Sequence, residues 1–100
     1  MEEKFNIYVS KRAENDLKEI VLYIKEKLEE PNIARNYSKL LKEKIKTLEH
    51  FPERFAIIDD FRTRKLVIRN YVVFYSINEE NRVVNVKRIL YGATDWENKI

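Results

Sequence analysis

Apolar and polar positions change their period along this chain, and the changes divide it into elements. Residues 5–9 alternate, with Phe5, Ile7 and Val9 against Asn6 and Tyr8, which predicts a short strand. Ser10 follows where a helix N-cap belongs. Apolar residues then recur at Ala13, Leu17, Ile20, Val21, Ile24 and Leu28, one stripe at helical spacing. Glu29, Glu30, Pro31 and Asn32 break that helix, and Asn32 is expected to cap the next. The second stripe is Ile33, Tyr37, Leu40, Leu41, Ile45 and Leu48. It ends at His50, Phe51 and Pro52, because proline cannot continue a helix and restricts the residue before it.

Beyond Pro52 the period shortens to two. Residues 53–63 read as irregular, with a short strand expected at 56–58. Residues 65–68 read as a strand, Arg69 and Asn70 as a tight turn in which Asn70 takes the positive φ, and residues 71–77 as a strand apolar on both faces and therefore central. Residues 78–81 form a hairpin loop and residues 82–90 the last strand, followed by a brief element over 95–100. The predicted order is β-α-α-β-β-β. The fold class is α+β: one domain over residues 1–100, with a helical hairpin packed on a small antiparallel or mixed sheet and a short C-terminal element.

Composition narrows the chemistry. There is no cysteine and one histidine, which excludes a disulfide framework, thiolate metal sites and a histidine-rich centre. One glycine excludes a glycine-rich phosphate loop. No apolar run approaches a membrane span and no signal peptide is visible, so a cytoplasmic location is expected. The net charge of +3 is small, but its distribution is uneven. Over residues 62–91 the cations are Arg62, Arg64, Lys65, Arg69, Arg82, Lys87 and Arg88, against Glu79 and Glu80 alone. Such a patch attracts RNA, DNA or an acidic protein segment; equally, lysines and arginines line solvated strand edges.

Several residues sit oddly. Lys11 and Arg12 oppose the dipole of the first helix, and Arg12 can pair with Asp16 one turn later. Strict alternation puts Arg88 on one face with Val84, Val86 and Leu90, so it is expected to meet a carboxylate such as Asp95 or to offer its guanidinium to an anionic ligand. Tyr71 and Tyr75 read as packing residues, Tyr91 as open to proton transfer or stacking, and Trp96 as a core plug or an interface anchor. Asp59 and Asp60 have no third ligand at metal-binding spacing and read as a solvated loop. His50 is expected to cap the second helix.

Four segments together resemble the RelE/ParE superfamily of toxins from type II toxin–antitoxin (plasmid stabilisation) systems. They are Ser10-x-x-Ala13-x-x-Asp16-Leu17-x-x-Ile20-x-x-Tyr23-Ile24, Leu48-x-x-Phe51-Pro52-Glu53-Arg54, Asn70-Tyr71-Val72-Val73-Phe74-Tyr75 and Arg88-Ile89-Leu90-Tyr91-Gly92-x-x-Asp95-Trp96. The resemblance implies a growth-inhibiting toxin, neutralised by a cognate antitoxin in a hetero-oligomer, with no cofactor and no metal. Ribosome-dependent mRNA-cleaving members carry an arginine where this chain has Val72, and cations where it has Ala93 and Thr94. The strand is more similar to the ParE branch, which acts on DNA gyrase. On the nuclease alternative, Lys65, Arg69, Arg88 and Tyr91 are the catalytic candidates; a third possibility is a non-toxic member that keeps only antitoxin binding. As a surface for antitoxin or target the candidates are Arg62, Arg64, Lys65, Arg69, Lys87, Arg88, Tyr91 and Trp96.

Overall fold

The computed structural model describes residues 4–27 and 29–100. Met1 to Glu3 and Leu28, the last position of the first apolar stripe, lie outside the described residues. Strand β1 (Asn6–Val9) leads into helices α1 (Lys11–Lys27) and α2 (Pro31–Lys46), followed by β2 (Arg64–Ile68), β3 (Tyr71–Asn78) and β4 (Val83–Tyr91). Single 3-10 turns lie at Thr47–Glu49, Pro52–Arg54 and Trp96–Asn98. The α+β order read from the sequence is the order observed.

The sheet is mixed, in the order β1-β4-β3-β2. β1 runs parallel to β4, while β2–β3 and β3–β4 are antiparallel hairpins. β3 is therefore central, and its first five residues are all buried. One face packs on the helical hairpin: Ala13, Leu41, Leu48, Val73, Tyr75, Val84 and Val86 are fully enclosed there. The other face carries a smaller cluster of Val72, Phe74 and Leu90, covered by Ile58, Trp96 and Ile100. Trp96 is thus a plug on the second face, its ring 5.2 Å from that of Phe74.

Local chemistry explains the element ends. Ser10 caps α1, its Oγ accepting the Ala13 N–H at 3.0 Å while its hydroxyl donates to the Lys87 carbonyl at 2.9 Å. At α2 the expectation of an Asn32 cap fails. Pro31 occupies the first helical position, where its missing N–H costs nothing, and the Glu30 backbone takes the capping place without a side-chain bond. The stripe of α2 is rotated accordingly, so Ala34 is buried and Ile33 is exposed. Arg54 supplies a capping cation at the far end, its guanidinium donating to the carbonyls of Thr47, His50 and Phe51.

The expected strand at 56–58 is a single bridge between Ile57 and Arg64. In the β2–β3 turn it is Arg69, not Asn70, that takes the left-handed conformation, with φ 54°. Gly92 needs no positive φ. It permits a close approach, because its N–H donates to the Asn70 carbonyl at 2.7 Å and a Cβ there would lie 3.3 Å from that oxygen.

Candidate functional site

β4 does not alternate strictly. Val86 pairs with Tyr75 and Arg88 with Phe74, so Lys87 is an extra residue, a β-bulge. The bulge reverses the faces. Val84, Val86 and then Ile89 point to the helices, while Arg88 and Leu90 point to the second face. The predicted alignment of Arg88 with the core valines is corrected by this one inserted residue.

The partner of Arg88 is Asp16, not Asp95. β1 ends at Val9, so the outer edge of β4 is unpaired beyond Val86. α1 passes over that edge and fills it with a carboxylate. Asp16 Oδ2 accepts the Ile89 N–H at 2.9 Å and the Arg88 Nε–H at 2.7 Å, and Oδ1 accepts from the other arm of the guanidinium at 2.8 Å. The pair is bidentate and mostly buried, with side-chain exposures of 15% for Arg88 and 9% for Asp16. Hydrogen bonding to Asp16 raises the Arg88 pKa above its ordinary value, against the opposing cost of burial. Asp95 instead accepts from the Asn98 side chain. Arg12 does not take Asp16 either; its guanidinium and that of Arg88 both donate to the Lys99 carbonyl, at 3.0 and 2.7 Å. These bonds hold the C-terminal segment against the second face. The sequence paired Asp16 with Arg12 and did not reveal its contacts with Arg88 and Ile89; its place on the otherwise apolar side of α1 was the available signal.

The remaining candidates divide. Lys65 and Arg88 flank Phe74 in one register row of the second face. Lys87 donates to the enclosed Thr63 hydroxyl at 2.9 Å. Arg64 is turned onto the carbonyls of Glu53 and Phe55 and pins that loop. Lys65, Arg62 and Arg69 are exposed. Tyr91 lies on the helix side, edge-on to Tyr71 at 5.9 Å, and Tyr71 is edge-on to Tyr37 at 5.8 Å. Desolvation first, then the neighbouring tyrosines, raise the Tyr71 pKa. Lys65 and Arg88 thus share a face, whereas Arg69 and Tyr91 sit at the β2–β3 turn and on the helix side; the four do not converge on one point.

Asp59 does more than solvate a loop. Its Oδ1 accepts the N–H groups of Phe61 and Thr63 at 3.0 and 2.8 Å. Desolvation raises its pKa, but the bonds from Thr63 and Phe61 and the Lys87 charge outweigh this and hold it below the ordinary aspartate value. No group of acidic or histidine side chains among the described residues could hold a metal ion. No described helix is long and apolar enough to cross a membrane.

A groove of about 940 Å³ runs between α1, α2 and β1. Its floor is apolar, with Ile7, Val9, Leu17, Val21, Leu22 and Ile45, and its rim carries Lys4, Lys18, Lys25, Lys42 and Lys46 against Glu14 and Glu49. An apolar trough with a cationic rim suits an amphipathic acidic segment.

The helical hairpin on a four-stranded mixed sheet is a fold shared with solved toxin–antitoxin structures. A solved structure described as the chromosomal ParDE toxin–antitoxin system of P. aeruginosa aligns over 88% of this chain and 96% of its own, with a TM-score of 0.77 at 16% identity. The toxin–antitoxin complex RelBE2 of Mycobacterium tuberculosis aligns over 92% and 95%, with a TM-score of 0.63 at 17% identity. No curated protein sequence matches the chain. The profile of the ParE toxin of type II toxin–antitoxin systems, parDE, matches residues 7–96, and the chain belongs to that family.

Proposed function

We propose that this chain is a growth-inhibiting toxin that acts by binding DNA gyrase and is neutralised by a cognate antitoxin. The observation that carries the reading is the Asp16–Arg88 pair. Metal-free RNA cleavage needs cations free to stabilise the developing phosphorane, together with an acid and a base. Here Arg88 spends its fork on Asp16, Val72 is buried in one cluster with Phe74 and Leu90, and Ala93 and Thr94 bring no charge. A binding mode of action asks for surfaces rather than a converged catalytic centre.

The antitoxin's acidic amphipathic segment seats in the lysine-rimmed groove, where Leu22 is 52% exposed. The relatives solved as ParDE and RelBE2 toxin–antitoxin complexes support an antitoxin partner. The second reading, a ribosome-dependent endoribonuclease using Lys65, Arg69, Arg88 and Tyr91, draws support from the single row that holds Lys65 and Arg88. Induced expression followed by toeprinting on translating ribosomes separates the two. The expected result is growth arrest with messages left intact; codon-specific cleavage would overturn the gyrase reading.

A further inference from the structure

Phe61 is the most exposed large apolar side chain among the described residues, at 80%. It does not hang on a loose loop. Residues 58–63 form a closed turn in which the Ile58 N–H donates to the Thr63 carbonyl at 2.8 Å and the Arg62 N–H to the Asp59 carbonyl at 3.3 Å. Asp59 ties the Phe61 and Thr63 amides from inside the turn. Thr63 is fully buried and receives the Lys87 ammonium from the β4 bulge at 2.9 Å, which fastens the turn to the sheet. Arg62, beside the ring, adopts the left-handed conformation with φ 60°, a strained choice for a non-glycine residue. A buried threonine, a lysine and an aspartate hold the backbone that presents Phe61 to water, so the turn is ordered in advance of a contact.

We infer that the 58–63 turn is the surface on which the growth-inhibition target docks, with Phe61 as the anchor entering an apolar pocket of a folded protein and Arg62 pairing with a carboxylate on its rim. This rests on the toxin reading above. A protein is favoured over a nucleic acid because the turn itself is not cationic, with Asp59 and Asp60 against Arg62, and an aromatic–arginine pair is the composition of protein interface hot spots. The site is separate from the groove. The turn borders β2, bridged through Ile57 and Arg64, whereas the groove borders β1 at the opposite edge of the sheet. Antitoxin and target contacts therefore occupy different edges.

The test compares the parent chain with Phe61→Ala, Phe61→Trp and Val67→Ala, the last removing another exposed apolar side chain. Inhibition of supercoiling and retention of purified gyrase are measured, with thermal melting as the control for folding. Truncating a hot-spot aromatic weakens binding by roughly tenfold or more, so Phe61→Ala should lose potency by that factor with unchanged melting, while Phe61→Trp and Val67→Ala keep it. Equal potency of Phe61→Ala and the parent would overturn the inference and leave the gyrase reading standing. A parent that neither binds nor inhibits gyrase would overturn both. Self-association of the parent in sedimentation, lost in Phe61→Ala, would put a second copy on the turn and overturn the inference as well.

Discussion

Asp16 joins three parts of the molecule through one carboxylate: helix α1, the β4 backbone at Ile89 and the Arg88 guanidinium. Removing one partner of a mostly buried, hydrogen-bonded pair leaves the other charge uncompensated, which costs about 3–5 kcal/mol. Asp16→Ala should therefore lower stability by about that amount in urea unfolding. Arg88→Ala should do the same, with strong coupling in the double-mutant cycle. A second residue makes a pH prediction. Tyr75 is fully buried and its hydroxyl donates to the Pro52 carbonyl at 2.6 Å. Burial pushes its pKa up to about 12, partly offset by the Arg64 and Arg54 charges. The folded state favours the neutral phenol, so this stability is fully present below the unfolded value near 10 and is lost as pH rises through about 12. Tyr75→Phe should cost about 1 kcal/mol at neutral pH and lose less stability than the parent across that alkaline window, as read by denaturant unfolding at each pH. The sequence marked Arg88 as a residue that needed a partner. It pointed to nearby Asp95 because nothing in a linear pattern reveals a contact across 72 positions.

At the scale of elements, most of the fold was legible because the period of apolar residues is fixed by backbone geometry. The stripe of α1, the doubly buried β3 and the Ser10 cap all follow from spacing and residue chemistry. Ser10→Ala removes the bond to the Ala13 amide and the bond to the Lys87 carbonyl. It should destabilise the protein by about 1–2 kcal/mol in thermal or urea unfolding. What spacing could not carry was the bulge. One unpaired residue, Lys87, changes the face of everything after it, and its only mark in the pattern is two successive polar residues, Lys87 and Arg88, between Val86 and Ile89, which reads equally as a misplaced arginine. The start of α2 was misplaced for a related reason. Pro31 is itself a good first helical residue, so the apparent breaker opens the helix. The turn at Arg69 takes its positive φ on the less permissive of two residues, which local preference argues against and the hairpin geometry imposes.

The whole molecule presents two surfaces on opposite edges of one sheet, the lysine-rimmed groove beside β1 and the aromatic turn beside β2. The candidate site was only half legible. The cations were visible in the sequence, but which of them are free was not, because Arg64, Lys87 and Arg88 each find internal oxygen partners contributed by distant segments. A charge placed on the apolar floor of the groove tests the antitoxin side. Leu22 is half-exposed, so Leu22→Glu should fold normally, yet it should weaken the cognate antitoxin by roughly tenfold or more in calorimetry, by setting a carboxylate against an acidic apolar partner. Under the proposed function the protein acts by binding gyrase rather than by cutting RNA. That is tested most directly by titrating the purified protein into a gyrase supercoiling reaction. Dose-dependent loss of supercoiling is expected; full supercoiling at a stoichiometric excess of the protein would rule out this mode of action.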